Sequence, residues 1–250
     1  MAEAVAQNLT AADYGIDAPV LMKRMFSRAA WCIGIGLAVY FINHAEYPGV
    51  SLQLLSVLGS IGLVFAAIGA YMLYSSKTLK LKMRDQLLDS LELKGDEKVL
   101  DAGCGRGLML IGLAKRLKSG KATGIDIWDP NDLSKNSAEA ARENVKLEGV
   151  ADKVRVENGD VRKLVYPDKN FDVVVSSLVI HNIPDARDRD KAVRELWRVL
   201  KPGGKLLIYD IFKTGDYAKI LRELGADVTV SGTSFLWAVP GASLLAKKQA

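Results

Sequence analysis

Histidine and cysteine are scarce in this sequence, which has two residues of each in a chain of 250. Cys32 lies in an apolar stretch and Cys104 in a glycine-rich one, so no disulfide framework is predicted. His44 and His181 are far apart, and neither has a neighbouring cysteine at the spacing of metal ligands. The sequence therefore predicts no metal site and no metal-dependent mechanism.

A basic stripe is also missing. The net charge is +5, but the cations are mostly interspersed with acids, as in residues 187–198, and aromatic residues make up only 7%. Nucleic-acid-binding proteins cluster their cations, with interleaved aromatic side chains where they bind single strands, so no nucleic-acid partner is expected. One cationic cluster directly follows an apolar stretch, where a position at a membrane surface is predicted. It consists of Lys77, Lys80, Lys82 and Arg84.

Residues 50–74 contain no charged side chain. As a helix this segment is long enough to cross a hydrocarbon layer of about 30 Å. A second helix can approach its small residues closely. These are Gly59, Ser60, Gly62, Ala66, Ala67, Gly69 and Ala70. Residues 29–43 are the predicted partner, giving a transmembrane hairpin over residues 29–74 that also offers a surface for homo-oligomers. A signal-peptide core is the alternative for the first run, disfavoured by the second run and by the lack of a cleavage site.

Positive charge predicts the orientation of this hairpin. Lys23, Arg24 and Arg28 precede the first helix and the cationic cluster follows the second, whereas the loop 44–49 has no Lys or Arg. By the positive-inside rule, both chain ends of this integral membrane protein are expected in the cytoplasm. The N-terminal segment 1–28 then lies beside the membrane, and its residues 14–19 are a candidate lid for the domain that follows.

From residue 75 to residue 250 the pattern alternates between strands and helices, which predicts an α/β fold with a mostly parallel sheet. The predicted helices are residues 78–91, 108–117, 134–148, 191–200 and 216–224. The predicted strands are residues 98–101, 122–126, 154–157, 171–176, 205–211, 227–230 and 235–246. Residues 202–204 are expected to stop the helix before them. We therefore expect a Rossmann-like, seven-stranded sheet with helices on both faces, preceded by two transmembrane helices.

A glycine-rich turn follows the first predicted strand. Gly103, Gly105 and Gly107 give the spacing G-x-G-x-G rather than the G-x-G-x-x-G of a dinucleotide site. Glycine allows a tight turn and a close approach of the backbone to a ligand. An acid about 20 residues further on is typical of nucleotide-type sites, and Asp126 occupies this place at the end of the second strand.

Four segments together resemble class I S-adenosylmethionine-dependent methyltransferases. They are Asp101-x-Gly103-x-Gly105-x-Gly107, Asp126, Asn158-Gly159-Asp160-Val161 and Leu200-Lys201-Pro202-Gly203-Gly204. These segments cover roughly residues 92–211 in the order that the family has. The sequence is most similar to the branch of quinone-biosynthesis and sterol-type methyltransferases.

The resemblance implies S-adenosylmethionine as the cofactor and a role for each matching residue. Asp101 would orient the methionine ammonium group, Asp126 the ribose hydroxyls and Asp160 the adenine amino group. Turn or cap chemistry at strand ends is the alternative for Asp126 and Asp160 taken singly. The full predicted cofactor set is Asp101, Gly103, Gly105, Gly107, Asp126, Ile127, Trp128, Asp160, Val161 and Ser176.

Candidate catalytic residues follow the fourth and fifth strands, whose carboxyl ends face the expected cleft. His181 titrates near neutrality and is a candidate base or donor, and anchoring its own loop is an equally supported role. Asn182 and Asp210 are weaker candidates, and Asp210 is expected either to orient the acceptor or to cap its strand.

The favoured function is methyl transfer to an apolar or amphiphilic small molecule that partitions into the bilayer. A quinone or isoprenoid intermediate, a sterol-like compound or a lipid headgroup would each suit a tethered enzyme. A methyltransferase for small thiols or amines that is merely localised to the membrane is one alternative. A cofactor-binding scaffold without turnover is another, whereas the glycine spacing and Asp160 disfavour a nicotinamide-dependent oxidoreductase.

Overall fold

The computed structural model describes residues 12–129, 132–234 and 240–249 and begins with a helical hairpin. Helix α1 spans Pro19–Asn43 and helix α2 spans Pro48–Tyr74. Helix α1 therefore starts well before residue 29, the predicted start. Each helix has a proline in its first turn, where the fixed φ of proline is already helical and the missing amide hydrogen is not needed.

Small residues bring the two hairpin helices into contact. A Cβ atom on Gly62 would lie 2.7 Å from Cγ1 of Ile33, and one on Gly69 would lie 2.9 Å from Cζ of Phe26. On α1 the buried positions include Ala29 and Gly36, which are one heptad apart and form the matching stripe. The predicted close approach of a second helix at these glycines is confirmed, because larger side chains would collide there.

Both hairpin helices are long and apolar enough to cross a membrane, judged by length and composition. Helix α2 continues through a π-helical turn, Ser75–Leu79, into helix α3, Lys80–Asp89. The cationic cluster after α2 is only partly exposed: Lys77 and Lys82 face solvent, whereas Lys80 and Arg84 are buried against protein. Only two of the four predicted surface cations are therefore available to a membrane surface.

Seven strands and four further helices complete the fold. The strands are β1 Lys98–Ala102, β2 Lys121–Asp126, β3 Val154–Asn158, β4 Phe171–Ser177, β5 Leu200–Asp210, β6 Asp227–Val230 and β7 Ala242–Lys247. The helices are α4 Leu108–Arg116, α5 Ala138–Leu147, α6 Ala186–Val199 and α7 Thr214–Glu223. The sheet has the order β3-β2-β1-β4-β5-β7-β6, and β7 runs in the opposite direction to the other six strands. The predicted Rossmann-like α/β fold is confirmed.

Alternating strand residues fill two apolar cores, one on each face of the sheet. Val99 of β1 packs in the same core as Leu87 of α3 and Leu110 of α4. The next residue, Leu100, points to the opposite face and joins Leu196 of α6 and Leu221 of α7. This period of two explains why helices cover both faces of the sheet.

Two predicted boundaries are wrong. Residues 202–204, predicted to end the preceding helix, lie inside β5. Helix α6 already ends at Val199, because the backbone becomes extended at Leu200, which pairs with Phe171 of β4. Gly203 has φ +76°, and a Cβ on Gly204 would lie 2.8 Å from the Asp172 carbonyl oxygen. The glycines therefore let the strand bend against its neighbour. The last strand was predicted as residues 235–246; β7 begins at Ala242, and residues 235–239 lie outside the described part.

Candidate active site

A cavity of about 890 Å³ opens at the carboxyl ends of the parallel strands. Ligands of open α/β sheets bind at this edge, where the strand order reverses between β1 and β4. Most of the predicted site residues line this cavity. They are Asp101, Gly103, Gly105, Asp126, Ile127, Asp160, Val161, His181 and Asn182. The remaining four, Gly107, Trp128, Ser176 and Asp210, are not in its wall and have the supporting roles described below.

Asp101 is a buried acid without a partner. Its side chain lies in the cavity wall at the end of β1, and the residue is only 1% exposed. Neither carboxylate oxygen is paired with a hydrogen-bond donor in the described part of the chain. Burial, aided by the nearby charge of Asp126, raises the pKa of Asp101 to about 8. Such a group gains much from a cationic ligand, because an unpaired buried carboxyl is costly.

The glycine turn follows this acid. Gly103 has φ +83°, and a Cβ there would lie 2.2 Å from Cγ2 of Val179. Gly105 also has a positive φ and lines the cavity. Gly107 is not in the wall; its amide donates to the Cys104 carbonyl oxygen and its φ of +88° starts α4. Gly103 therefore lets Val179 pack closely on the turn, Gly105 contributes to the cavity wall, and Gly107 shapes the turn.

Asp126 is held in place by two backbone amides. The Gly105 amide donates to Oδ2 at 2.8 Å, and the Trp128 amide donates to Oδ1 at 2.6 Å. Ile127, between Asp126 and Trp128 in the chain, is exposed and lines the cavity. A carboxylate fixed in this way presents its remaining lone pairs in one direction, as binding of a ribose diol requires.

Trp128, predicted to contact adenine, is not among the residues that line the cavity. Its indole Nε1 donates to Oδ1 of Asn158 at 2.7 Å, and its ring packs on the core below the cavity. Its φ of +62° puts the residue in the left-handed region. Trp128 therefore supports the Asp126 loop through its amide and its ring.

Asp160 lies in the cavity wall with its carboxylate already engaged. Arg162 Nη2 donates to Oδ2 at 2.6 Å, and its Nε lies within 3.0 Å of both oxygens. This guanidinium holds the pKa of Asp160 below its usual range. Val161 follows in the wall, largely buried. An adenine amino group at this position would share the carboxylate with Arg162.

The assignment of Ser176 is off by one residue. Its Oγ donates to the Ala102 carbonyl oxygen at 3.0 Å in the sheet interior. The following residue, Ser177, lines the cavity, and its buried Oγ has no partner in the described ranges. Strand β4 ends at residue 177 rather than 176, and successive strand residues point to opposite faces.

His181 is fixed by Asp210 at the end of the neighbouring strand. Its amide donates to Asp210 Oδ2 at 3.0 Å, and its Nδ1 lies 2.5 Å from Oδ1. Asp210 is fully buried and also accepts from the Tyr217 hydroxyl at 3.3 Å. Burial and the negative charge of Asp210 raise the pKa of Tyr217, which keeps that hydroxyl a donor. Asp210 is not in the cavity wall. It caps the end of its own strand by accepting from the Ile211 amide at 2.9 Å, and it also orients His181 through Nδ1, which leaves Nε2 for other partners.

The N-terminal segment covers part of the cavity. Tyr14, Asp17 and Ala18 are in the wall. The buried Lys80 of α3 donates through Nζ to the Tyr14 carbonyl oxygen at 3.0 Å and to that of Gly15 at 2.6 Å. Its Nζ also lies 3.6 Å from Asp17 Oδ1. One buried cation therefore fastens the predicted lid segment to the domain.

Comparison with known proteins supports this geometry. Residues 100–208 match the family model described as a methyltransferase domain. The matched segment is less than half of the chain, and over it the chain is similar to this domain. The similarity implies S-adenosylmethionine as the methyl donor. The match includes β2, β3, β4 and most of β1 and β5, and therefore the edge of the sheet that carries the cavity.

Two curated relatives and one solved structure illustrate the similarity. The chain is 34% identical over 137 residues to a sterol 4-C-methyltransferase of Caenorhabditis elegans, covering 55% of this chain and 38% of the relative. It is 30% identical over 128 residues to a demethylmenaquinone methyltransferase of Lactobacillus johnsonii, covering 51% and 49%. It therefore spans less than half the length of these relatives. A methyltransferase structure from Aquifex aeolicus shares the fold, with TM-score 0.53, 24% identity and coverage of 67% and 90%.

The cavity fits this cofactor. Within the described part of the chain the carboxyl group of Asp101 makes no hydrogen bond and suits an ammonium group, and the oriented carboxylate of Asp126 suits a diol. Both residues line the same cavity, so one ligand could reach both. Among the described residues, no group of three or more His, Cys, Asp or Glu side chains is arranged as a metal site.

Replacing Lys80 with methionine is expected to loosen the predicted lid segment. Methionine keeps an apolar side chain of moderate length but removes the donor to two carbonyl oxygens, so amides 14–17 should exchange faster with deuterium. We expect the affinity for S-adenosylhomocysteine to fall about tenfold, as loss of a charged hydrogen-bond donor usually costs. Lys77→Met, at an exposed site three residues earlier, is the control. Equal exchange and affinity in both variants would contradict a fastened lid.

Several residues of this site were not predicted from the sequence. Arg162 pairs with Asp160 from two residues away, a short spacing that a turn analysis could have flagged. Lys80, Ser177 and Tyr217 carry no such local signal, because their partners are distant in sequence or depend on the exact strand end. Asp132, also in the wall, has a raised pKa because of burial and the nearby charges of Asp129 and Asp126.

Proposed function

We propose that this protein is a membrane-anchored methyltransferase that moves a methyl group from S-adenosylmethionine to an apolar or amphiphilic small molecule. The observation that carries the proposal is the placement of His181, held by buried Asp210, in the same cavity as Asp101 and Asp126. The predicted cofactor-binding residues and the candidate base therefore line one cavity. The relatives that act on sterols and demethylmenaquinone support a quinone, isoprenoid, sterol-like or lipid-headgroup acceptor.

The residues divide the work between binding and proton transfer. When bound, S-adenosylmethionine would supply an electrophilic methyl group. Asp101 would hold its ammonium group and Asp126 its ribose, which would position the methyl group for transfer to the acceptor. His181 accepts the acceptor proton on Nε2, and Asp210 stabilises the resulting imidazolium through Nδ1–H. The lid segment, residues 14–19, would limit the access of water.

Membrane anchoring rests on the exposed surface of the hairpin. Large apolar side chains stand outward on both helices, with Phe41 77% exposed on α1 and Leu63 66% exposed on α2. An apolar surface of this extent requires lipid or a partner. The absence of Lys and Arg from loop 44–49 supports a cytoplasmic position for both chain ends. Anchoring would raise the effective concentration of a bilayer-resident acceptor.

Replacing Asp126 with alanine is expected to weaken cofactor binding by about tenfold to a hundredfold, because a charged acceptor of hydrogen bonds is lost. The full chain in mild detergent would be titrated calorimetrically with S-adenosylmethionine and with S-adenosylhomocysteine. Asp152→Ala, at an exposed position just before β3, is the matched control and should bind like the wild type. Failure of both compounds to bind a folded wild type would contradict the proposal and make nicotinamide nucleotides the next ligands to test.

A labelled-methyl assay then separates the candidate acceptors. Transfer of label to lipid extracts supports the proposed substrate class. Transfer to small thiols or amines alone would identify a methyltransferase that is merely localised to the membrane. Cofactor binding without transfer to any acceptor would identify a binding scaffold.

A further inference from the structure

The cavity does not end at the cofactor residues but extends to the hairpin. Leu21 of α1 and Ile68, Tyr71 and Met72 of α2 all line it. On α2 these positions have the spacing i, i+3 and i+4, so they lie on one helix face. Leu21 belongs to the first turns of α1 and the other three to the last turns of α2. The end of the hairpin nearest the methyltransferase domain is therefore part of the cavity wall.

The opposite wall comes from the loops after β4 and β5. Ile183 and Pro184 follow His181 by two and three residues, and Phe212 follows Asp210 by two residues; all three line the cavity. Phe212 is 90% exposed and has φ +58°. This conformation is strained for a bulky residue, and such strain is typical of functional sites. The backbone thus holds an aromatic ring at the mouth of the cavity.

We propose that these two walls form the acceptor subsite and that its occupant is the apolar chain of a bilayer-resident acceptor. This inference rests on the proposed function and adds where the acceptor binds and that it carries an apolar chain. The reactive group would lie at His181, and the chain would leave the cavity between Phe212 and the hairpin.

Two observations favour a long apolar chain over a compact polar molecule. Leu21, Ile68 and Met72 offer only apolar surface, so a polar group bound there would lose its hydrogen bonds to water without compensation. The wall is also continuous with the apolar outer surface of the same helices, since Leu21 and Ile68 are both partly solvent-exposed. A chain lying in the bilayer could enter this subsite without crossing water.

Photolabelling would test this subsite with the full chain in dioleoylphosphatidylcholine nanodiscs loaded with S-adenosylhomocysteine. The probe is a 4-hexadecylphenol with a diazirine in mid-chain, and labelled peptides are identified by mass spectrometry. In the wild type we expect label on peptides that carry residues 178–184 as well as on the hairpin. Ile68→Trp should reduce label on residues 178–184 about fivefold or more, because the larger side chain fills the wall. Leu21→Trp tests the same wall from α1.

Leu63→Trp is the matched control, since Leu63 is an exposed residue of the same helix that does not line the cavity. It should leave the labelling unchanged. Equal labelling of residues 178–184 in Ile68→Trp, Leu21→Trp and the control would overturn the proposal. Absence of label from residues 178–184 in the wild type would also overturn it. Calorimetry with S-adenosylhomocysteine distinguishes failure of the proposed subsite from failure of the proposed function. A variant that binds it is folded, and a wild type that fails to bind it contradicts the proposed function itself.

Discussion

His181→Ala is expected to lower kcat by about 10²–10⁴-fold, the usual contribution of a positioned general base. The structure gives the reason, because Asp210 holds Nδ1 and leaves Nε2 free in the cavity. Binding of S-adenosylhomocysteine should stay within about twofold of the wild type, since Asp101 and Asp126 remain in place. The measurement is kcat and KM with the acceptor found by the labelled-methyl screen, together with calorimetry.

Asp210 provides a second test of His181 as a base, because it holds Nδ1 of the ring. Asp210→Asn is expected to lower kcat about tenfold or more, because the imidazolium loses its buried counter-charge. Asp216→Asn, at an exposed site nearby, is the control. A kcat in His181→Ala within twofold of the wild type at every pH would leave His181 only the anchoring role.

Asp101→Asn is expected to weaken S-adenosylhomocysteine binding by about tenfold to a hundredfold and to abolish a proton release. Because its pKa is raised to about 8, Asp101 is mostly protonated in the free protein at pH 7. A bound ammonium group favours the carboxylate, so wild-type binding should release nearly one proton at pH 7. The affinity should rise as the pH approaches 8. Calorimetry in two buffers with different ionisation enthalpies measures this release.

The same raised pKa makes a prediction for stability. Between the unfolded pKa of about 4 and the folded value near 8, the folded chain keeps a proton that the unfolded chain has lost. The free energy of unfolding of the ligand-free protein should therefore fall as the pH rises through this window, and less so in Asp101→Asn. Asp96→Asn, at an exposed site just before β1, should behave like the wild type. Identical proton release in Asp101→Asn and the wild type would exclude Asp101 as the ammonium ligand.

Prediction from the sequence was reliable where a role depends on local spacing. Asp101, Gly103, Gly105 and Asp126 each stand at a fixed distance from a strand end, so all four reach the cavity edge. It was unreliable where one residue of register matters. Strand β4 is one residue longer than predicted, which places Ser177 rather than Ser176 in the cavity wall.

Charge patterns were the least informative about individual side chains. Lys80 and Arg84 read as part of an exposed cationic cluster, but helix α3 packs on α4 and turns them inward. A run of cations does not reveal which face of a helix will be covered. Only the packed structure shows that Lys80 fastens the N-terminal segment rather than facing a membrane.

The sequence by itself determined the layered α/β fold, the apolar hairpin and the three acids at strand ends, because these follow from hydrophobic period and short-range turn chemistry. The tertiary structure alone decided which groups meet across long stretches of chain. Asp210 reaches His181 because β4 and β5 are neighbours in the sheet, and Leu21 and Ile68 reach the cavity because the hairpin folds back against the domain. Such contacts depend on how strands and helices pack, which no local pattern specifies.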